Sequence, residues 1–276
     1  MIKSVLILAF LILWLAGCGV LSTGGLTQTE ASSRTNRPQN LTVFAAASLI
    51  DPFTVIGEQF QAGHPGVRVA YNFANSQQLV QQLAQGAPAD VFASAATKQM
   101  DAAIQAGSVL TGSPQVFAHN RLVVVFPKDN PGGLESLQDL AKPGLRLVLA
   151  DKAVPVGDYT LNFLDQASQQ TDYGPDFKEK VLKNVLSYEE NVKAVLSKVL
   201  LGEADAGIIY TSDISQANAG KVGQLNIPDA LNPTISYTIA PVSGSPNPEL
   251  ANAFVDFVLS TQGQAILKSY GFIPVK

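Results

Sequence analysis

Cysteine is nearly absent. Cys18 is the only one in 276 residues, so no disulfide can close within the chain. Histidine is almost as scarce: His64 and His119 lie far apart, and neither has a neighbour at a metal-ligand spacing. Charge is sparse at 14 % of residues, and the net charge of -4 argues against a nucleic-acid binder, which normally carries a basic face. There is no Gly-x-Ser-x-Gly elbow, no P-loop and no Gly-x-Gly-x-x-Gly fingerprint. Asp90 and Asp205 are the acid–base candidates, but each adjoins a buried strand and a loop, where a turn or cap role accounts for it. No nucleophile or acid–base pair assembles, so an enzyme is not expected. An anion ligand is still allowed, because neutral hydrogen-bond donors can hold one without cationic side chains.

What is abundant is apolar material, 46 % of the chain, enough for one large core or two ordinary ones. The first apolar run is a leader. Lys3 supplies a positive start, Ser4 to Leu15 is an apolar segment too short to span a bilayer, and Leu15-Ala16-Gly17-Cys18 resembles a lipobox. Residues 1–17 therefore read as a signal peptide. A lipid on Cys18 would tether the mature protein to a bacterial membrane, on its periplasmic or outer side. Residues 18–40, rich in Ser, Thr, Gly, Gln and Asn, read as a flexible linker, with folded structure starting near Leu41.

From there strands alternate with helices. The stretch 43–49, VFAAASL, ends an apolar strand at Ser48, and a helix follows with Asp51 as N-cap and Pro52 at its first position. Ser76 is placed at the N-cap of a helix closed by Gly86. Leu122 to Phe126 is a β-branched run of the kind buried on both faces, and Leu145 to Ala150 is another buried strand. Val154-Pro155-Val156-Gly157 precedes a helix and offers only backbone N–H groups. Asn191 caps a helix starting at Val192, and Tyr210 ends the strand Ala206 to Tyr210. This alternation predicts an α/β fold with mainly parallel sheets, in which ligands bind beyond the carboxyl ends of the strands. Ser48, Ser76, Val156, Val192 and Tyr210 all fall at strand ends or helix starts, where unsatisfied N–H groups and the helix dipole favour an anion.

Five segments together resemble the periplasmic molybdate-binding proteins of ABC importers: VFAAASL at 43–49, GAPADVFASA at 86–95, RLVVVFPK at 121–128, GIIYTSD at 207–213 and YGF at 270–272. The resemblance runs over nearly all of Leu41 to Lys276. It implies a two-lobed periplasmic binding protein of type II, whose chain crosses between lobes twice, with lobe 1 at 41–120 and 236–276 and lobe 2 at 121–235. It implies an extracytoplasmic, monomeric receptor that delivers molybdate or tungstate to a membrane permease and its ATPase. The oxyanion would be held by the hydroxyls of Ser48, Ser76 and Tyr210 and the backbone N–H groups of Val156 and Val192, with no directly coordinated cation and no cofactor. Asn75-Ser-Gln-Gln departs from the small residues expected around the second serine. The donor-only chemistry suits an anion without protons and disfavours phosphate, while sulfate or another tetrahedral oxyanion stays open as the alternative ligand.

Overall fold

The computed structural model describes residues 39–275. The stretch read as a signal peptide, Cys18 and nearly all of the expected linker lie outside the described residues. Gln39 and Asn40, expected in the linker, instead begin the first strand, and the Gln39 N–H donates to the Gly66 carbonyl (2.9 Å).

Strand β1 (Gln39–Ala46) runs into a 3-10 turn (Ala47–Leu49) and helix α1 (Ile50–Gly63). Then come β2 (Val67–Ala74), α2 (Ser76–Ala84), β3 (Val91–Ser94), α3 (Thr97–Gln105) and β4 (Gln115–Asn120). β5 (Leu122–Pro127), β6 (Leu147–Ala150), α4 (Pro155–Ser168), α5 (Phe177–Lys183) and β7 (Val185–Glu189) follow. The chain ends with α6 (Val192–Leu200), β8 (Ala206–Tyr210), β9 (Val222–Asn226), β10 (Ile235–Pro241), α7 (Pro248–Leu259), α8 (Thr261–Ser269) and β11 (Ile273–Pro274). Among the described residues, no helix is long and apolar enough to cross a membrane.

The strands form two sheets, ordered β11-β4-β10-β3-β1-β2 and β7-β6-β8-β5-β9. The chain passes from the first to the second between β4 and β5 and returns between β9 and β10. The α/β architecture is as expected, but the sheets are mixed rather than mainly parallel. Parallel pairing is confined to β2-β1-β3 and β7-β6-β8, where helices supply the crossovers. β4 and β10 pair antiparallel to each other, and so do β5 and β9, because both join the sheets where the chain changes sides.

Burial follows the apolar runs. Every residue of β3, β6 and β8 is buried, which is why these strands show no alternation. Helix α1 turns Phe53, Ile56 and Phe60 onto the first sheet, with Phe53 5.8 Å from Phe117 and 6.1 Å from Phe254 between ring centroids. Each fully buried side chain of that size contributes roughly 1.5–3 kcal/mol relative to exposure. This packing fixes where α1 begins, and so where the preceding turn points.

Candidate functional site

Four helix starts and one strand end converge on one cavity. Its volume is about 20 Å³, and Ser48, Ser76, Val156, Val192 and Tyr210 all line it, with Ala47 and Ala95 as small walls. Ser48 and Ser76 come from the first sheet's connections and the other three from the second's, so the cavity lies between the two sheets. A larger hollow of about 720 Å³ beside Asp51, Ser215 and Lys268 contains none of the five. Convergence of donors, rather than size, distinguishes the small one.

Each position has a local cause. β1 gives way to the 3-10 turn Ala47–Leu49, which carries the buried Ser48, and its Oγ lies 2.9 Å from the Tyr237 hydroxyl. Asp51 is not the N-cap of α1, as the sequence suggested. Leu49 holds that place, because the 3-10 turn delays the helix, and the Asp51 carboxylate accepts instead from Lys193 Nζ at 2.8 Å. Nor is Ser76 an N-cap. Asn75 caps α2, its Oδ1 accepting the Gln78 N–H at 2.9 Å. Ser76 is thereby the first residue of the helix, and its fully buried Oγ accepts the Ala95 N–H at 3.1 Å. Capping by Asn75 also explains the departure from small residues there. Its Nδ2 reaches the Glu190 carbonyl (2.8 Å), just before α6, which a smaller side chain would not span.

Helix α4 starts with Pro155 at its first position and no side-chain cap, so nothing of its own covers the Val156 N–H. Gly157 permits this placement: a Cβ there would collide with the carbonyl oxygens of Asp151 and Ala150. Asn191 caps α6 as expected, Oδ1 accepting the Ala194 N–H at 3.0 Å, which leaves the Val192 N–H at the helix tip. Tyr210 ends β8, and its N–H donates to Asp213 Oδ2 (3.1 Å). Its phenolic oxygen is buried and has no hydrogen-bond partner.

None of the residues lining the cavity is an acid, a lysine, an arginine or a histidine. Burial, and then the neighbouring Tyr237, push the Tyr210 phenol well above its ordinary range, so it stays a donor. An orphaned buried hydroxyl costs about 1–3 kcal/mol, and a ligand acceptor would remove that cost. Among the described residues no cluster of three His, Cys, Asp or Glu side chains could hold a metal ion. Asp90 and Asp205 keep their structural roles. The former accepts from the Thr42 N–H (2.7 Å) and the latter is paired with Arg146 (2.6 Å). His64 stacks on Phe60 and His119 meets Ser236, both away from the cavity.

Sequence reasoning missed Asn75, Tyr237, Asn120 and Lys193 as supports of this site. Asn75 carried a signal, as a cap-type residue before a helix. The others carried none, since these partners lie more than ninety positions away.

Two sheets joined by a double crossing, with a donor-lined cavity between their strand ends, define a solute-binding protein. The chain belongs to the bacterial extracellular solute-binding proteins, whose family pattern matches residues 41–273. It is 40 % identical over 267 residues to the "Molybdate-binding protein ModA" of Mycobacterium tuberculosis, covering 97 % of this chain and 95 % of that one. Among solved structures, the periplasmic molybdate-binding protein of Azotobacter vinelandii aligns with TM-score 0.73 at 23 % identity, over 86 % of this chain and 100 % of that one. The sulfate-binding protein SubI of Mycobacterium tuberculosis aligns with TM-score 0.77 at 22 % identity, over 86 % and 88 % of the two chains. The two structural likenesses speak for the fold.

Proposed function

We propose that this protein captures molybdate, or tungstate, in the cavity between the two sheets and delivers it to an ABC importer. The observation that carries this is the meeting of Ser48, Ser76, Val156, Val192 and Tyr210 around one space without an ionisable acid or base. Three hydroxyls and two helix-start N–H groups can all donate. A dianion with no proton needs donors only, and the helix dipoles favour its charge. The 40 % identity to a molybdate-binding protein over nearly the whole chain supports the same ligand.

The two sheets are the cores of two lobes, 41–120 with 236–276 and 121–235, and the crossings near Asn120 and Ser236 are the hinge. Closure over the anion gives the membrane permease and its ATPase a ligand-bound shape to recognise. The protein acts outside the cytoplasm as a monomer, held to the membrane by a lipid on Cys18, and performs no catalysis. Sulfate is the second reading, since the cavity offers it the same hydroxyl and N–H donors. It is also fully deprotonated at neutral pH, so cavity size and unmet donors must separate the two anions.

Calorimetric titration of the purified protein with molybdate, tungstate, sulfate and phosphate tests this. Tight one-to-one binding of the first two, with little heat from the others, is the expected result. Sulfate binding of equal strength would move the protein to the broader oxyanion class, and no binding at all would remove the proposed function.

A further inference from the structure

Away from the two crossings, three side-chain contacts among the described residues join the first sheet's segments to the second's. Lys98 at the start of α3 meets Asp158 in α4 (3.4 Å), Lys193 meets Asp51 (2.8 Å), and Asn75 Nδ2 donates to the Glu190 carbonyl (2.8 Å). The first two are ion pairs with exposed or partly exposed members, so solvent and salt weaken them. The third is neutral, and Asn75 is buried. The orientation of its amide is fixed by its two neighbours. Oδ1 accepts the Gln78 N–H (2.9 Å), which can only donate, so Nδ2 is the atom that faces the Glu190 carbonyl, which can only accept. One carboxamide thus caps α2 and reaches across to the residue two before α6. Ser76 follows Asn75 directly, and Val192 is two residues beyond Glu190. The bridge therefore ties together two of the helix tips that line the cavity, and Asn75 itself is part of the wall.

We infer that Asn75 is a positioning residue that latches the two sheets' segments together over the bound anion and so sets how fast the anion leaves, an inference that rests on reading this cavity as the oxyanion site. A side chain of serine size at this position would cap α2 as well, but it would not span to Glu190. The bridge forms only where the two sets of segments meet, and it must break before they part. It therefore acts on release and not on capture, because the open protein has yet to form it. Having no charge, it also keeps its strength in salt, which the Lys193–Asp51 pair does not.

The test measures molybdate capture and release separately on the purified protein. Isotopically labelled molybdate is bound and then chased with an excess of unlabelled molybdate, and the association rate is read in parallel. Asn75→Ser and Asn75→Thr both keep a capping hydroxyl and lose the reach. Release is expected to be about 3- to 10-fold faster in each, the net value of one hydrogen bond, with the association rate close to the parent's. The factor should be the same at low and at high salt, whereas that of Asp51→Asn shrinks as salt is added. Thermal unfolding without ligand should match the parent's. A parental release rate in both variants would overturn the inference. So would a loss confined to association, or a fall in ligand-free stability large enough to account for the weaker binding, which would make Asn75 part of the scaffold alone. A parent protein that binds no molybdate would instead remove the site reading on which the latch depends.

Discussion

Lys193 Nζ lies 2.8 Å from Asp51 Oδ2, and so joins the first turn of α6, on the second sheet's side, to the first turn of α1 on the first sheet's side. The same ammonium group is 3.4 Å from the buried Asp213, three residues beyond Tyr210. One cation thus ties together the segments that carry Ser48, Val192 and Tyr210. Burial works against its charge, but Asp213 and Asp51 outweigh that and hold its pKa above the usual lysine range.

The Asp51 arm of this contact spans the two sheets, so it favours the arrangement in which the five donors meet. Asp51 is partly exposed, and pairs of that kind contribute about 0.2–1 kcal/mol. Asp51→Asn is expected to weaken molybdate binding by up to about 5-fold at low ionic strength, with the difference shrinking as salt is added. Titrations at two salt concentrations check this. Equal affinities for both proteins at low salt would show that the pair does not bear on binding.

Asp213 gives a dependence on pH. Burial raises its pKa from 3.8 to about 6, against the opposing pull of Lys193 and the Tyr210 N–H. A carboxyl raised on folding binds its proton more tightly in the folded state. Its stabilising contribution is therefore full below the unfolded value of 3.8 and is lost as pH rises through about 6. The loss is on the order of 2–3 kcal/mol. Asp213→Asn, which can still accept the Tyr210 N–H, should remove this fall. Denaturation at several pH values between the two limits measures it, and parallel curves for the two proteins would contradict the assignment.

Removing a donor should weaken the ligand directly. Ser48→Ala and Tyr210→Phe are each expected to reduce molybdate affinity by about 1–3 kcal/mol, the cost of leaving a charged partner's acceptor unmet. Tyr210→Phe also deletes a hydroxyl that is unpartnered without ligand, so the ligand-free protein should be as stable as the parent or more so. Calorimetry paired with thermal unfolding reads both effects. Unchanged affinity in both variants would take these residues out of the site.

Gly157 allows α4 to start against the end of β6. Gly157→Ala puts a Cβ into the carbonyl oxygens of Asp151 and Ala150, and the helix tip carrying the Val156 N–H must move away. The expected cost is about 1–3 kcal/mol in stability, with a larger proportional loss of affinity. Wild-type binding in this variant would show that the helix tip is dispensable.

Much of the scaffold was legible from local pattern. The run Leu122 to Phe126 announced a strand buried on both faces, and the cap at Asn191 announced where α6 begins. β4 (Gln115–Asn120) and β9 (Val222–Asn226) were not legible. Both mix polar with apolar residues and exist because a distant strand pairs with them. The same limit explains the misplaced caps at Asp51 and Ser76. A cap is chosen by the backbone's actual turn, and the 3-10 turn at Ala47–Leu49 and the reach of Asn75 to Glu190 are set by neighbours far along the chain.

By itself the sequence determined the strand–helix alternation and the residue type at each strand end, because apolar period and capping chemistry act over a few residues. It placed Ser48, Ser76, Val156, Val192 and Tyr210 one by one, each at a helix start or strand end. Only the tertiary structure brought them to a single cavity and left the Tyr210 hydroxyl without a partner. Those facts depend on contacts such as Ser48 to Tyr237, 189 positions apart, and sequence distance carries no information about such a contact until the sheets are assembled.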